Sequence, residues 1–153
     1  MTGLDANDAE FLVDRYRLPR PRVALGPRLV GLASAALDIS DGLLADLQHI
    51  CQVSELAAVV EATRVPLSSA VRAALATNAG SITTVLTGGD DYEILFTAPA
   101  AAVNELAELS QALDVPITAI GRMVPPFGGK TEVTVLNEFG KPLAVDRMGW
   151  THF

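Results

Sequence analysis

Within residues 34–53, SAALDISDGLLADLQHICQV, the hydrophobic pattern changes period across a single turn. Residues 34–39 (SAALDI) have the compact apolar content of a short buried strand. Leu43, Leu44, Leu47, Ile50 and Cys51 then recur at helical spacing over 42–53. The first unit is therefore strand, turn, helix, and the same alternation runs on along the chain. Residues 55–61 (ELAAVVE) read as a strand, and Pro66 followed by Leu67 to Ala76 reads as a helix with proline near its first turn. YEILF, ended by Pro99, reads as a strand; Val103, Leu106, Leu109 and Leu113 mark a helix over 100–113. ITAIGRMV, TEVTVLN and PLAVD are three further strand candidates. Helices recurring between strands predict an α+β (α/β layered) domain with a mixed β-sheet packed with helices. A helix over 5–17 precedes the proline-bearing stretch LPRPRV, an extended linker and candidate boundary, so 1–22 is separated from the domain at 23–153.

Composition narrows the function classes. The chain of 153 residues is half hydrophobic, yet no apolar run approaches the ~20 residues needed to cross a bilayer. The opening MTGLDANDAE has the form of neither a signal nor a transit peptide, which predicts a cytoplasmic protein. Cys51 is the only cysteine, so an internal disulfide and a cysteine-based zinc cluster are excluded; among Leu47, Ile50 and Val53 it reads as core packing. A net charge of -7 opposes nucleic-acid binding. The basic cluster Arg15, Arg17, Arg20 and Arg22 reads as solvated linker. If so acidic a protein handles phosphates, metal ions should help neutralise them.

Two constellations carry chemistry. In DISDG, Asp38 ends a strand and Asp41 opens a helix, so both carboxylates can face the sheet edge where open α/β sheets bind ligands. Two close carboxylates disfavour each other's ionisation unless a cation such as Mg²⁺ intervenes, and Ser40 with the helix amides can add a phosphate cradle. The structural alternative makes Ser40 or Asp41 an N-cap, and spacing leaves both readings open. Asp46 and His49 fall on the outer helical face and read as solvated. In TGGDDYE, residues 87–93, paired glycines allow close backbone approach and three acids follow; a ligand loop and a simple turn are equally supported.

Two other features are weaker. FGGKT mimics a phosphate-binding loop, but Val124 stands where that motif needs glycine and a strand-like TEVTVL follows, so it is rejected. Trp150, the only tryptophan, is either a late core anchor or a ring that stacks on a ligand. His152 has no cysteine or histidine at ligand spacing nearby, and no metal role is assigned to it.

Together LDISDGLLADLQHI, LTGGDDYEILFT, AIGRM and RMGWTHF resemble the thiamine-monophosphate kinase family, within the superfamily of aminoimidazole-ribonucleotide synthetase and selenophosphate synthetase. DISDG alone indicates the superfamily; GGDDYE with the terminal GW.HF is more specific. The resemblance implies a cytoplasmic, ATP-dependent enzyme that phosphorylates thiamine monophosphate to thiamine diphosphate with Mg²⁺, by direct in-line transfer without a phosphoenzyme. It implies Asp38 and Asp41 as metal ligands and Ser40 as an ATP contact. Asp90, where relatives often have Glu, is implied as a substrate-binding acid and Trp150 as a substrate-contacting ring. Only the C-terminal half of the family is matched. The N-terminal half, with further metal-binding acids, much of the ATP site and the usual homodimer contact, is not in this chain, so the chain alone is expected to be incomplete. The alternatives are a non-catalytic thiamine-phosphate-binding module of the same fold, or a related kinase acting on another phosphate acceptor.

Overall fold

The computed structural model describes residues 4–77, 80–126, 128–145 and 149. Helix α1 (Ala6–Arg17) starts where Asp5 accepts the Asn7 N–H at 2.7 Å, with Asp8 in its first turn and Arg15 and Arg17 in its last, matching the helix dipole at both ends. It buries none of its residues completely and packs on α3 (Ser69–Ala76). Pro66 lies outside α3, whose first turn is capped by Ser68, its Oγ accepting the Val71 N–H at 3.2 Å. That start comes two residues later than the sequence suggests, because a serine cap fixes it rather than a proline.

Strand β1 (Ala35–Asp38) pairs antiparallel with β3 (Ile94–Thr97), placing Asp38 opposite Ile94. Helix α2 (Leu43–Ser54) follows β1 and ends at Glu55, whose left-handed backbone (φ 56°) turns the chain into β2 (Ala57–Glu61). The Leu56 N–H reaches back to the Cys51 carbonyl at 3.0 Å. This reversal consumes residues 55 and 56, which the apolar pattern had assigned to the strand. β2 is central in a mixed sheet, antiparallel to β4 (Gly121–Val124) and parallel to β5 (Val133–Leu136). Among the described residues the strands thus form two sheets rather than one, of which only the three-stranded one is mixed.

Two details differ from the sequence reading. PLAVD forms only a bridge from Pro142 to Leu136 among its described residues, since proline has no N–H for a ladder. An unpredicted helix α4 (Ile82–Thr87) precedes the glycine pair. It is two turns at most and rich in β-branched residues, so propensity and periodicity both miss it. Ser81 starts it by accepting the Thr84 N–H at 3.2 Å.

The main core gathers Leu44, Leu47, Ile50 and Cys51 of α2, Ala58 and Val60 of β2, Leu86 of α4, Leu95 of β3 and Val135 of β5. Cys51 is fully buried, as packing predicts. A smaller cluster of Leu25, Leu29 and Leu109 joins the turn at Gly26–Leu29 to α5 (Val103–Leu113). No helix among the described residues is long and apolar enough to cross a membrane.

Candidate functional site

The turn after β1 is built against the apparent logic of its sequence. Neither Ser40 nor Asp41 caps α2: Gly42 occupies the N-cap position with φ 122° and offers no side chain. The cap comes from inside the helix. Asp46, only 4% exposed, turns its carboxylate back so that Oδ2 accepts the N–H groups of Ser40, Asp41 and Gly42 at 3.0, 3.1 and 3.2 Å. Three otherwise unsatisfied loop donors and the positive helix end meet one negative group. The expectation that Asp46 is solvated is therefore wrong. Helical period places it outward, but the preceding loop folds over that face and buries it. His49 is exposed, as expected.

The second motif lies directly on the first. The Asp90 N–H donates to the Ser40 carbonyl and the Tyr92 N–H to the Ile39 carbonyl, both at 2.9 Å; the Ile39 N–H donates to the Glu93 carbonyl, also at 2.9 Å. The β1–β3 ladder thus continues past both strand ends into the two loops. Glycine is needed for this approach. A Cβ on Gly42 would stand 2.7 Å from the Thr87 carbonyl oxygen, and one on Gly89 would collide with the Ser40 carbonyl. Asp90 and Tyr92 adopt left-handed backbone (φ 67° and 52°), which costs free energy in a residue with a side chain. The Tyr92 hydroxyl donates to Asp90 Oδ1 at 3.4 Å. A third segment reaches the same place: a Cβ on Gly149 would lie 2.6 Å from the Asp41 carbonyl oxygen. Gly149 immediately precedes Trp150, which itself lies outside the described residues, as do His152 and Asp146.

Charge around the motif is uneven. Glu93 accepts from Arg22 Nε and Nη2 at 2.8 and 2.7 Å, and Arg15 Nη2 stands 3.6 Å away. Arg22 is therefore not solvated linker but part of a two-pronged ion pair with a residue far along the chain, which sequence spacing gives no means to see. Glu93 in turn raises the Arg22 pKa through these hydrogen bonds, partial burial pulling the other way. Asp91 is pushed up to about 6, first by desolvation and then by repulsion from Glu93 and Asp90, with Arg15 opposing.

Asp38 is exposed at the end of β1, Asp41 is half-buried in the turn and Asp90 is exposed. Asp41, Asp46 and His49 present ligand atoms within 4.8 Å of one another, a group that does not include Asp38. Lys130 of FGGKT is exposed beside Glu132 at 3.5 Å, and β5 rather than a helix follows it, consistent with its rejection as a phosphate loop.

A family model described as AIR synthase related protein, C-terminal domain, matches residues 3–134. The thiamine-monophosphate kinase of Haemophilus influenzae is 38% identical over 154 residues, covering 99% of this chain and 45% of that protein. The crystal structure of thiamine-monophosphate kinase from Stenotrophomonas maltophilia aligns with a TM-score of 0.77 at 45% identity, over 85% of this chain and 40% of that one. The structure of AaThiL complexed with AMPPCP and TMP aligns at 0.76 with 28% identity, over 99% of this chain and 44% of that one. The chain spans less than half the length of the curated relatives it matches. With the mixed sheet, the helices packed on it and a family match running from before α1 to within β5, the chain belongs to the C-terminal domain family of AIR synthase related proteins.

Proposed function

We propose that this chain is the C-terminal half of a thiamine-monophosphate kinase, contributing metal, nucleotide and substrate contacts to ATP-dependent synthesis of thiamine diphosphate. The observation that carries this reading is the convergence of three motifs. DISDG, GGDDYE and the glycine before Trp150 meet backbone to backbone around Ser40 and Asp41. A relative of the same fold is complexed with AMPPCP and TMP, which supports ATP and thiamine monophosphate as the ligands here.

The donor chemistry fits Mg²⁺. Asp38 and Asp41 offer hard carboxylate oxygens beside the turn, whereas Asp46 Oδ2 is committed to three amides and serves the loop instead. In this reading Asp38 and Asp41 hold the metal, which when bound screens the charge between nucleotide and acceptor phosphates. Ser40 offers its hydroxyl to ATP while its carbonyl stays bonded to Asp90. Asp90 presents an exposed carboxylate to the cationic ring of thiamine, and Trp150 supplies an aromatic face to stack on it. The acceptor is already a phosphate monoester, so transfer is direct and in line, and needs alignment more than a strong base. The complementary half supplies the remaining ATP site and the homodimer contact. Residues 1–22 form the helix and linker that lead from that half into the domain at 23–153, and the complete enzyme acts in the cytoplasm.

The test joins this chain to the N-terminal half of the Stenotrophomonas kinase and follows formation of thiamine diphosphate from thiamine monophosphate, ATP and Mg²⁺. Turnover that Asp41→Ala abolishes is expected. No product from a folded fusion would defeat the kinase assignment.

A further inference from the structure

Asp90 and Tyr92 hold left-handed backbone within three residues, a conformation that needs restraint at both ends of the loop. On the incoming side, restraint comes from the Asp90 and Tyr92 amides bonded to Ser40 and Ile39. On the outgoing side stands Glu93, gripped by both prongs of a guanidinium 71 positions away in sequence. We propose that Arg22 is a positioning residue: its fork, seconded by Arg15, fixes Glu93 and thereby sets the backbone that carries Asp90. The bidentate geometry fixes direction as well as distance, which a single-point contact would not. It also sorts the charges of the loop. With Glu93 neutralised by two arginines, Asp90 and Asp91, neither in an ion pair among the described residues, are the acids left to meet a cation. The inference rests on reading GGDDYE as a substrate loop, and it adds the element that holds the loop in place.

The experiment measures amide hydrogen exchange at Asp90 and Tyr92 in the chain, with β2 amides as the internal reference. Arg22→Gln is expected to speed both loop amides about tenfold while β2 stays unchanged, since the lost contact is local. Arg22→Lys, keeping charge without the fork, should fall between, and the exchanged pair Arg22→Glu with Glu93→Arg should restore protection. Should Arg22→Gln not fold, Glu93→Gln with Arg22→Lys gives the same comparison. Unchanged loop exchange, or an equal rise across β2, would overturn the positioning role. A titration with thiamine monophosphate separates the two readings. Binding weakened in step with the loop exchange supports both. Altered loop exchange, in a chain whose fusion to the Stenotrophomonas N-terminal half binds no thiamine monophosphate, leaves the clamp standing and sinks the substrate assignment.

Discussion

Helix α2 fastens the molecule at two places by different means. At its first turn, Asp46 gathers three amides of the 40–42 turn with one charged oxygen, and the loops it steadies meet through backbone and glycine rather than through side chains. Half a turn on, Gln48 donates its amide to the Thr131 carbonyl and accepts the Val133 N–H at 3.2 Å, acting as a short stand-in for a strand beside β5. There the surroundings are the aliphatic contacts of β2 and β5. The sheet end tolerates adjustment because apolar packing is non-directional. The site end does not, because its closeness depends on missing Cβ atoms, left-handed residues and one buried carboxylate.

The largest effect should come from breaking that closeness outright. Gly89→Ala places a methyl group against the Ser40 carbonyl, so one of the two loops must move. We expect a loss of about 3 kcal/mol in urea unfolding, as overpacking and a severed ladder combine. Gly128→Ala is the contrast, having positive φ but open space around its Cβ, and should cost only about 1 kcal/mol. Equal losses would mean that the two loops part freely and the site end is no tighter than a surface turn.

Next come the two fastenings themselves. Asp46→Ala strands three loop donors and removes a charge from the helix N-terminus, for an expected ~2–3 kcal/mol. Gln48→Ala removes neutral bonds from a partly exposed edge and should cost ~1 kcal/mol. A reversed order in chemical denaturation would make the sheet end, rather than the site, the part that relies on α2.

The same contrast governs what the sequence discloses. The sheet end was legible because burial leaves a periodic trace: Leu44, Leu47, Ile50 and Cys51 sit at helical spacing and all are buried. β2 and β5 likewise lie inside the apolar runs that suggest them. The two motifs of the site were legible as residue types, but their contact was not. The bond from Asp90 to Ser40 joins segments 50 positions apart and leaves no period. Asp46 was misplaced because helical period assumes a helix whose outer face meets water, and here a loop covers it. Arg22 was misplaced because its partner Glu93 is reached only through the fold.

The smallest effect concerns charge alone. The Asp91 carboxyl has an ordinary value of 3.8 and is pushed up to about 6, so between those pH values the folded chain holds a proton that the unfolded chain releases. Stability from this group is therefore present below pH 4 and is lost as pH rises through 6. Asp91→Asn removes the penalty without removing the side chain. The full shift would be worth about 3 kcal/mol, but the carboxyl is only partly desolvated and the residue keeps a solvent-exposed side, so screening reduces this to roughly 1 kcal/mol. We expect the variant to melt ~2–4 °C above the parent at pH 7.5 and level with it near pH 4. Among the described residues Arg15 is the one cation pulling the other way, so Arg15→Gln should enlarge the penalty, and with it the gain from Asp91→Asn at pH 7.5. A gain of the same size at both pH values would mean that the amide side chain suits the backbone between Asp90 and Tyr92 better for conformational reasons, and that crowded charge does not distinguish the site end from the sheet end.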